Sequence, residues 1–324
     1  MEKISPYYSH FIKGAIGIKS KSLIKIRDAA ENFEKCLSYK KTEEAYRCLL
    51  TCYYMLNESD KYEKIMLEAI ENNYSSFYSS AGLYYARNAA KHDKAKALSW
   101  FERGMKIGDA KSYSDLANLY LYGCKYFEKD LKEAEKVLLE GLKLNDNQWN
   151  GYFNYFLGCI RFDDKKYAEA AIYFKDAAKE KYSLANYNLA HMYKDGLGVE
   201  KNNDLYIEHL IKHLCVESAL ELGGIYITGE LVEKDEFISF SYFDYAAKHG
   251  SYIGAFMCAA FVLDKKNYDE KLLNSYLDIA FKNSRNDIDI NNIILGIEEY
   301  FGQKCGPIIQ EKIEEYWETK KNKV

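Results

Sequence analysis

Asp93-Lys-Ala-Lys-Ala97-Leu-Ser-Trp100-Phe101-Glu-Arg-Gly104-Met105-Lys-Ile-Gly108 and Asp235-Glu-Phe-Ile-Ser239-Phe-Ser-Tyr242-Phe243-Asp-Tyr-Ala246-Ala247-Lys-His-Gly250 are two copies of one pattern. Each opens with Asp and has a small residue four on. Two aromatics follow at seven and eight, small or apolar residues at eleven and twelve, and Gly at fifteen. Outward from these copies, Asp60, Asp93, Asp130, Asp164, Asp204, Asp235 and Asp269 recur at intervals averaging about 35 residues, the length of a helical-hairpin repeat. A carboxylate at a helix start accepts from the free N–H groups there, so each Asp is expected to open the second helix of a pair. Asp60 with Glu63 and Asp130 with Glu133 resemble capping boxes.

The first helix of each pair has its own signature. Ala81-Gly82-Leu83-Tyr84-Tyr85, Leu116-Ala117-Asn118-Leu119-Tyr120, Leu189-Ala190-His191-Met192-Tyr193 and Leu222-Gly223-Gly224-Ile225-Tyr226 put a small residue three positions before a tyrosine. The small residues (with Ala259) let a partner helix approach, and Tyr85, Tyr120, Tyr193 and Tyr226 are expected to pack. Such a stripe cannot shelter itself and needs a neighbour on both sides. The expected fold is all-α: a right-handed α-solenoid of stacked antiparallel helix pairs. Seven pairs are expected over residues 39–284, near 39–73, 74–108, 109–146, 147–181, 182–215, 216–250 and 251–284. Residues 1–38 are read as an N-terminal helical cap with one amphipathic helix at 20–38. Residues 285–324 are read as C-terminal capping helices, at Ile288–Phe301 and Pro307–Lys321.

Composition excludes several classes. The chain of 324 residues is 48% hydrophobic with two prolines, ample for a core and poor in linker sequence. A formal net charge of −4 supplies no overall attraction for nucleic acid or anionic membrane, and neither is expected as a partner. The eight cysteines form no CxxC pair, which predicts reduced thiols and a cytoplasmic address. No apolar run of spanning or secretory length is present, so no membrane span or leader is expected.

Tyr193…Gly196-Leu197-Gly198-Val199, Val232…Asp235, Trp100-Phe101…Gly108 and Ala246-Ala247…Gly250 together resemble the Sel-one-like repeat (SLR), a relative of the tetratricopeptide repeat. The resemblance covers roughly residues 39 to 284 and is strongest at 74–123 and 183–263. It implies an interaction scaffold, of the kind used in signalling, host contact and quality control. The chain departs from the pattern in places. Leu231 stands where a second Gly is expected, and Lys181 and Ser284 replace terminal glycines. Asp163-Asp164-Lys165-Lys166 resembles a tetratricopeptide loop. The short spacing from Val199 to Tyr206 predicts that the helix after Asp204 is truncated or begins late.

No catalytic constellation stands out, and neither an enzyme nor a cofactor or metal is expected. Gly14-Ala-Ile-Gly17-Ile-Lys19-Ser20 lacks the spacing of a phosphate loop and is read as a loop between N-terminal helices. His209 and His213 have a metal-clamp spacing without a third ligand, so packing is preferred. Cys48 and Cys52 share a helix face and are read as small buried thiols. Lys13, Lys19, Lys21, Lys25 and Arg27 form the most basic stretch, which could touch phosphates or an acidic partner or be a solvated face.

The 31 tyrosines suit helix grooves and contact surfaces alike. By analogy with tetratricopeptide folds, Tyr113, Tyr152, Tyr155, Tyr187 and Phe256 are candidate contacts on the concave face of the first helices. The function expected is a scaffold or adaptor holding a protein or peptide in that groove. The alternative is a peptide-sensing regulator or an immunity-type protein acting on another protein. Self-association through the end helices is left open.

Overall fold

The computed structural model describes residues 5–20, 22–264 and 269–283, together with 310, 311, 314, 315 and 318. The expected capping helices at 285–324 lie outside the described residues, apart from those five positions. Among the described residues there are sixteen helices and no strand, only an isolated bridge between Cys124 and Phe127.

The chain divides into two units, residues 1–160 and 161–324. The first holds α1 (Pro6–Ile18), α2 (Leu23–Tyr39), α3 (Glu43–Met55), α4 (Ser59–Glu71), α5 (Phe77–Arg87), α6 (Lys94–Lys106), α7 (Ala110–Tyr122) and α8 (Leu131–Leu142). Helix α9 (Asn150–Asp163) begins in the first unit and ends in the second. The second unit continues with α10 (Tyr167–Lys179), α11 (Leu184–Asp195), α12 (Asn203–Lys212), α13 (Val216–Thr228), α14 (Glu236–Lys248), α15 (Tyr252–Leu263) and α16 (Glu270–Asn283). Within each unit, consecutive helices pack as hairpins and each hairpin packs on the next.

The spacing of small and aromatic residues accounts for that packing. A Cβ added at Gly82 would lie 2.6 Å from the Phe101 ring, and one at Gly223 would lie 2.7 Å from the Phe243 ring. The Phe at eight in the Asp-initiated pattern therefore seats on the small residue of the first helix. The same contact appears at Gly14 with Phe33, and a reversed one, Gly141 of α8 against Phe153 of α9, links one pair to the next, each at 2.7 Å. Every one of these rings is at most 3% exposed. Removing such a buried ring costs about 3–5 kcal/mol, so these contacts hold the hairpins closed.

The Asp positions divide in a physically instructive way. Asp93 accepts from the Lys96 N–H at 2.9 Å, Asp235 from Ile238 at 2.9 Å, and Asp130 and Asp269 from two N–H groups each. Asp204 does not cap its helix, because Asn202 does, accepting from Leu205 at 2.9 Å. Helix α12 is thus truncated to 10 residues, as the spacing suggests, but begins before Asp204 rather than late. Asp60 and Asp164 do not cap either. Asp60 lies inside α4, whose N-cap residue is Glu58, and Asp164 lies two residues before Lys166, the N-cap residue of α10.

The N-terminal reading needs correction. Gly14 to Ile18 lie inside α1, not in a loop. Their glycines serve approach rather than turning: a Cβ at Gly17 would meet the Lys25 carbonyl at 2.9 Å. Helix α15 is the converse case, a helix buried on all sides from Gly254 to Leu263 between α14 and α16.

Candidate binding surface

The ends of the first helices are tied to the preceding hairpin by tyrosine–carboxylate bonds. Tyr53 on α3 donates to Glu34 on α2, and Tyr85 on α5 donates to Glu63 on α4. A lysine one helix on completes each tie: Lys61 lies 5.4 Å from the Tyr53 ring centre and Lys96 lies 4.0 Å from that of Tyr85. Tyr46 donates to Glu68 at 2.8 Å, Tyr206 to Glu221 at 2.5 Å and Tyr276 to Asp244 at 2.7 Å in related ways. Burial and the adjacent carboxylate push all five phenols upward. Burial opposes the charged Glu63 and Glu221, yet their hydrogen bonds and neighbouring cations hold both below the usual carboxylate range.

These ties fix the walls of a pocket of about 680 Å³ between the end of α3, the start of α4 and α5. Its size lies within the range of natural ligand pockets. Tyr53, Tyr54, Tyr62 and Tyr84 supply aromatic walls, with Met55 and Leu83 beside them. Tyr62 and Tyr84 stack at 5.2 Å with ring planes 14° apart. The Tyr84 hydroxyl donates to the Ser59 carbonyl at 3.1 Å, and burial pushes its pKa up to about 12. Asn88 is fixed by accepting from Ala90 and Lys91 at 2.9 and 3.1 Å. Tyr54 is 77% exposed, and Arg87 is exposed at the rim with no carboxylate within ion-pair distance among the described residues. No carboxylate of the described residues lines the pocket.

The sequence-derived contacts fall differently. Phe256 is fully buried, edge-on to Phe281 at 5.7 Å, and is withdrawn as a contact: α15 has no open face to present it. Tyr113, Tyr152, Tyr155 and Tyr187 are half-buried. Tyr113 donates to the Met105 carbonyl at 3.3 Å and Tyr152 to the Ser114 carbonyl at 3.2 Å, so their hydroxyls are committed and only ring surface is offered. Tyr155 sits edge-on to Phe156 at 5.1 Å. Tyr187, in the second unit, is edge-on to His191 at 4.6 Å and to His213 at 5.9 Å.

The paired histidines and cysteines make contacts within the fold. His209 shares a 2.9 Å hydrogen bond with Asn186 and stacks on Tyr193 at 5.5 Å, and burial holds its pKa down. His213 is the C-cap residue of α12 and turns to Tyr187 instead. Cys48 and Cys52 both lie on α3, and burial pushes Cys52 up to about 12. Tyr85 is buried, Tyr193 nearly so, and Tyr120 and Tyr226 pack against Phe127 and Tyr242.

The pocket itself is not apparent from sequence. Its one local signal is Asn57, a turn residue two positions after the Tyr53–Tyr54–Met55 run that ends α3.

Comparison with known proteins places this architecture. A Schizosaccharomyces pombe protein described as an uncharacterized Sel1-like repeat-containing protein is 30% identical over 190 residues, 56% of this chain. The chain spans only 26% of that relative's length. A Sel1 repeat protein from Oxalobacter formigenes has a similar solved structure: TM-score 0.60, 18% identity, 87% of this chain and 84% of that one. A protective antigen of uropathogenic Escherichia coli with an SLR fold gives a TM-score of 0.51 at 18% identity, over 94% of this chain and 63% of that one. No family model matches. The chain therefore has the Sel1-like repeat fold, and its sequence is similar to that of a Sel1-like repeat protein. No helix among the described residues is long and apolar enough to cross a membrane.

Proposed function

We propose that this chain is a protein–protein interaction scaffold whose array, residues 39–284, holds a peptide segment of a partner. The α3–α5 pocket is the anchoring point. It accepts an apolar or aromatic side chain between Tyr54, Tyr62 and Tyr84, while Arg87 meets a carboxylate on the same segment. The observation that carries this reading is an aromatic pocket with a rim arginine that no carboxylate of the described residues neutralises. Rigid aromatic anchors and arginine are the groups that concentrate binding energy. The half-buried rings of Tyr113, Tyr152 and Tyr155 extend contact in the first unit, and Tyr187 contributes in the second.

Binding rather than catalysis is supported by the direction of the titration shifts. Every tyrosine and cysteine with a resolved shift is moved upward, among them Cys52, Cys258 and Tyr84, away from the reactive anion. Cys36, Cys48, Cys52, Cys124, Cys215 and Cys258 carry free thiols, which supports a reducing, cytoplasmic setting.

The test is selection from a random peptide library on the full chain, with Arg87→Glu and Tyr54→Ala as counter-screens. The expected result is a convergent acidic–aromatic motif whose affinity falls about tenfold or more in either variant. Failure to converge, or binders indifferent to both variants, contradicts the proposal.

A further inference from the structure

The α1–α2 hairpin carries an outward surface that the packing leaves unused. Tyr8, Ile12 and Ile16 are 62%, 51% and 69% exposed, and their four-residue spacing sets them in one stripe along α1. The opposite face is the packed one, where Gly14 sits on Phe33. At the turn, Gly17 lies against Lys25 and Ala29, so Leu23 and Ile24 emerge at the same end as Ile16, 62% and 75% exposed. Large apolar side chains grouped in this way mark a contact surface.

The segment that carries this stripe is basic, and its acidic neighbours are exposed Asp28, one turn beyond Ile24, and Glu44, in the groove beside Tyr8. From Lys3 to Arg27 there are six Lys and Arg and no Asp or Glu, in a chain of net charge −4. Lys13, Lys19 and Lys25 are exposed, and none has an ion-pair partner among the described residues. Arg27 does pair, with Glu58 at 3.7 Å. From sequence alone no membrane contact is expected; the exposure of the stripe alters that.

We propose that the α1–α2 hairpin docks on an anionic lipid surface, with Tyr8, Ile12, Ile16, Leu23 and Ile24 entering the interface and Lys13, Lys19 and Lys25 meeting the headgroups. An amphipathic face combining apolar depth with basic charge is what interfacial binding requires, since neither signal alone gives a stable anchor. A second copy of the chain is the poorer occupant, because a symmetric contact would set lysines against lysines. The surface shares no residue with the tyrosine pocket and stands independently of it.

Flotation of the full chain with phosphatidylcholine vesicles, with and without phosphatidylserine, tests this. The wild-type chain floats with the phosphatidylserine vesicles only, and added salt releases it. Lys13→Gln with Lys19→Gln weakens binding about 25-fold, at about fivefold per lysine. Ile12→Ser with Ile16→Ser abolishes flotation while far-ultraviolet circular dichroism is unchanged, both residues being exposed. The proposal is overturned if the wild-type chain does not float, if it floats equally on phosphatidylcholine alone, or if both double variants float like wild type. Capture of polyglutamate without flotation would assign the face to an acidic protein, and a dimer lost in Ile12→Ser with Ile16→Ser without flotation would assign it to a second copy; either result overturns it.

Discussion

Single residues decide where each helix stops. Asn57, Asn73, Asn145, Lys165 and Lys181 all take left-handed backbone at helix ends, the positions where Gly108, Gly123, Gly196, Gly229 and Gly250 stand elsewhere. Asparagine tolerates this region; lysine pays a steric cost of about 1 kcal/mol. Lys181→Gly is therefore expected to stabilise the chain by about 1 kcal/mol in urea denaturation. No gain would mean the position is not strained. Gly82 and Gly224 make an opposed pair. Alanine at 82 would meet the Phe101 ring and is expected to destabilise by about 1–3 kcal/mol. Alanine at 224, where nothing lies within 4 Å, is expected to stabilise α13 by about 0.5–1 kcal/mol. Sequence spacing revealed which glycines face a partner helix, since Gly82 and Gly223 stand at the signature position. It could not reveal that Lys181 adopts the conformation of the glycine it replaces.

At the scale of the element, the same aspartate pattern has two outcomes, and the register of the Asp to the helix start separates them: Asp93, Asp130 and Asp235 stand at the N-cap position, whereas Asp60 and Asp204 lie one residue inside their helices and Asp164 lies before its own. Asp93 has an extended backbone from which to cap α6. The tight turn before α10 puts Asp164 ahead of the left-handed Lys165, where it only approaches Lys166 at 3.8 Å. Asp93→Ala is expected to cost about 1 kcal/mol, and Asp164→Ala less than about 0.5 kcal/mol. Equal costs in thermal melts would show that both cap. Helices and their pairing were legible because hydrophobic period and caps are local signals. The site was less so. Tyr53 and Tyr54 are neighbours, yet one is buried against Glu34 and the other 77% exposed at the pocket mouth. The ~100° step of the helix puts Tyr53 on the buried stripe with Tyr46, Leu49 and Leu50 and leaves Tyr54 off it, but the pocket depends on how α3, α4 and α5 meet. Phe256 failed as a contact for the same reason, its helix being enclosed by two others.

For the molecule as a whole, the tyrosine–carboxylate ties make stability depend on pH in both directions. A phenol raised by folding stabilises fully below its ordinary 10.0 and loses that contribution as pH climbs towards the folded value. Glu63, Glu68 and Glu221, lowered by hydrogen bonds and cations despite burial, stabilise above the ordinary 4.5 and lose it as pH falls through their folded values. His209, lowered by burial, favours the folded chain above 6.5 and less so as it protonates. The melting temperature is therefore expected to be highest between about pH 6.5 and 10 and to fall on both sides. A profile flat into strong alkali would show that the phenols are not held by the fold.

Photocrosslinking in cells that make the protein tests most directly whether a peptide partner engages the α3–α5 pocket. Benzoylphenylalanine placed at Tyr54 samples the pocket mouth, and placed at Ile172, exposed on α10, samples a surface with no assigned role. The predicted result is a discrete protein adduct from position 54 that disappears with Arg87→Glu and is absent from position 172. An adduct from 172 alone, or one from 54 that is unchanged by Arg87→Glu, would contradict it.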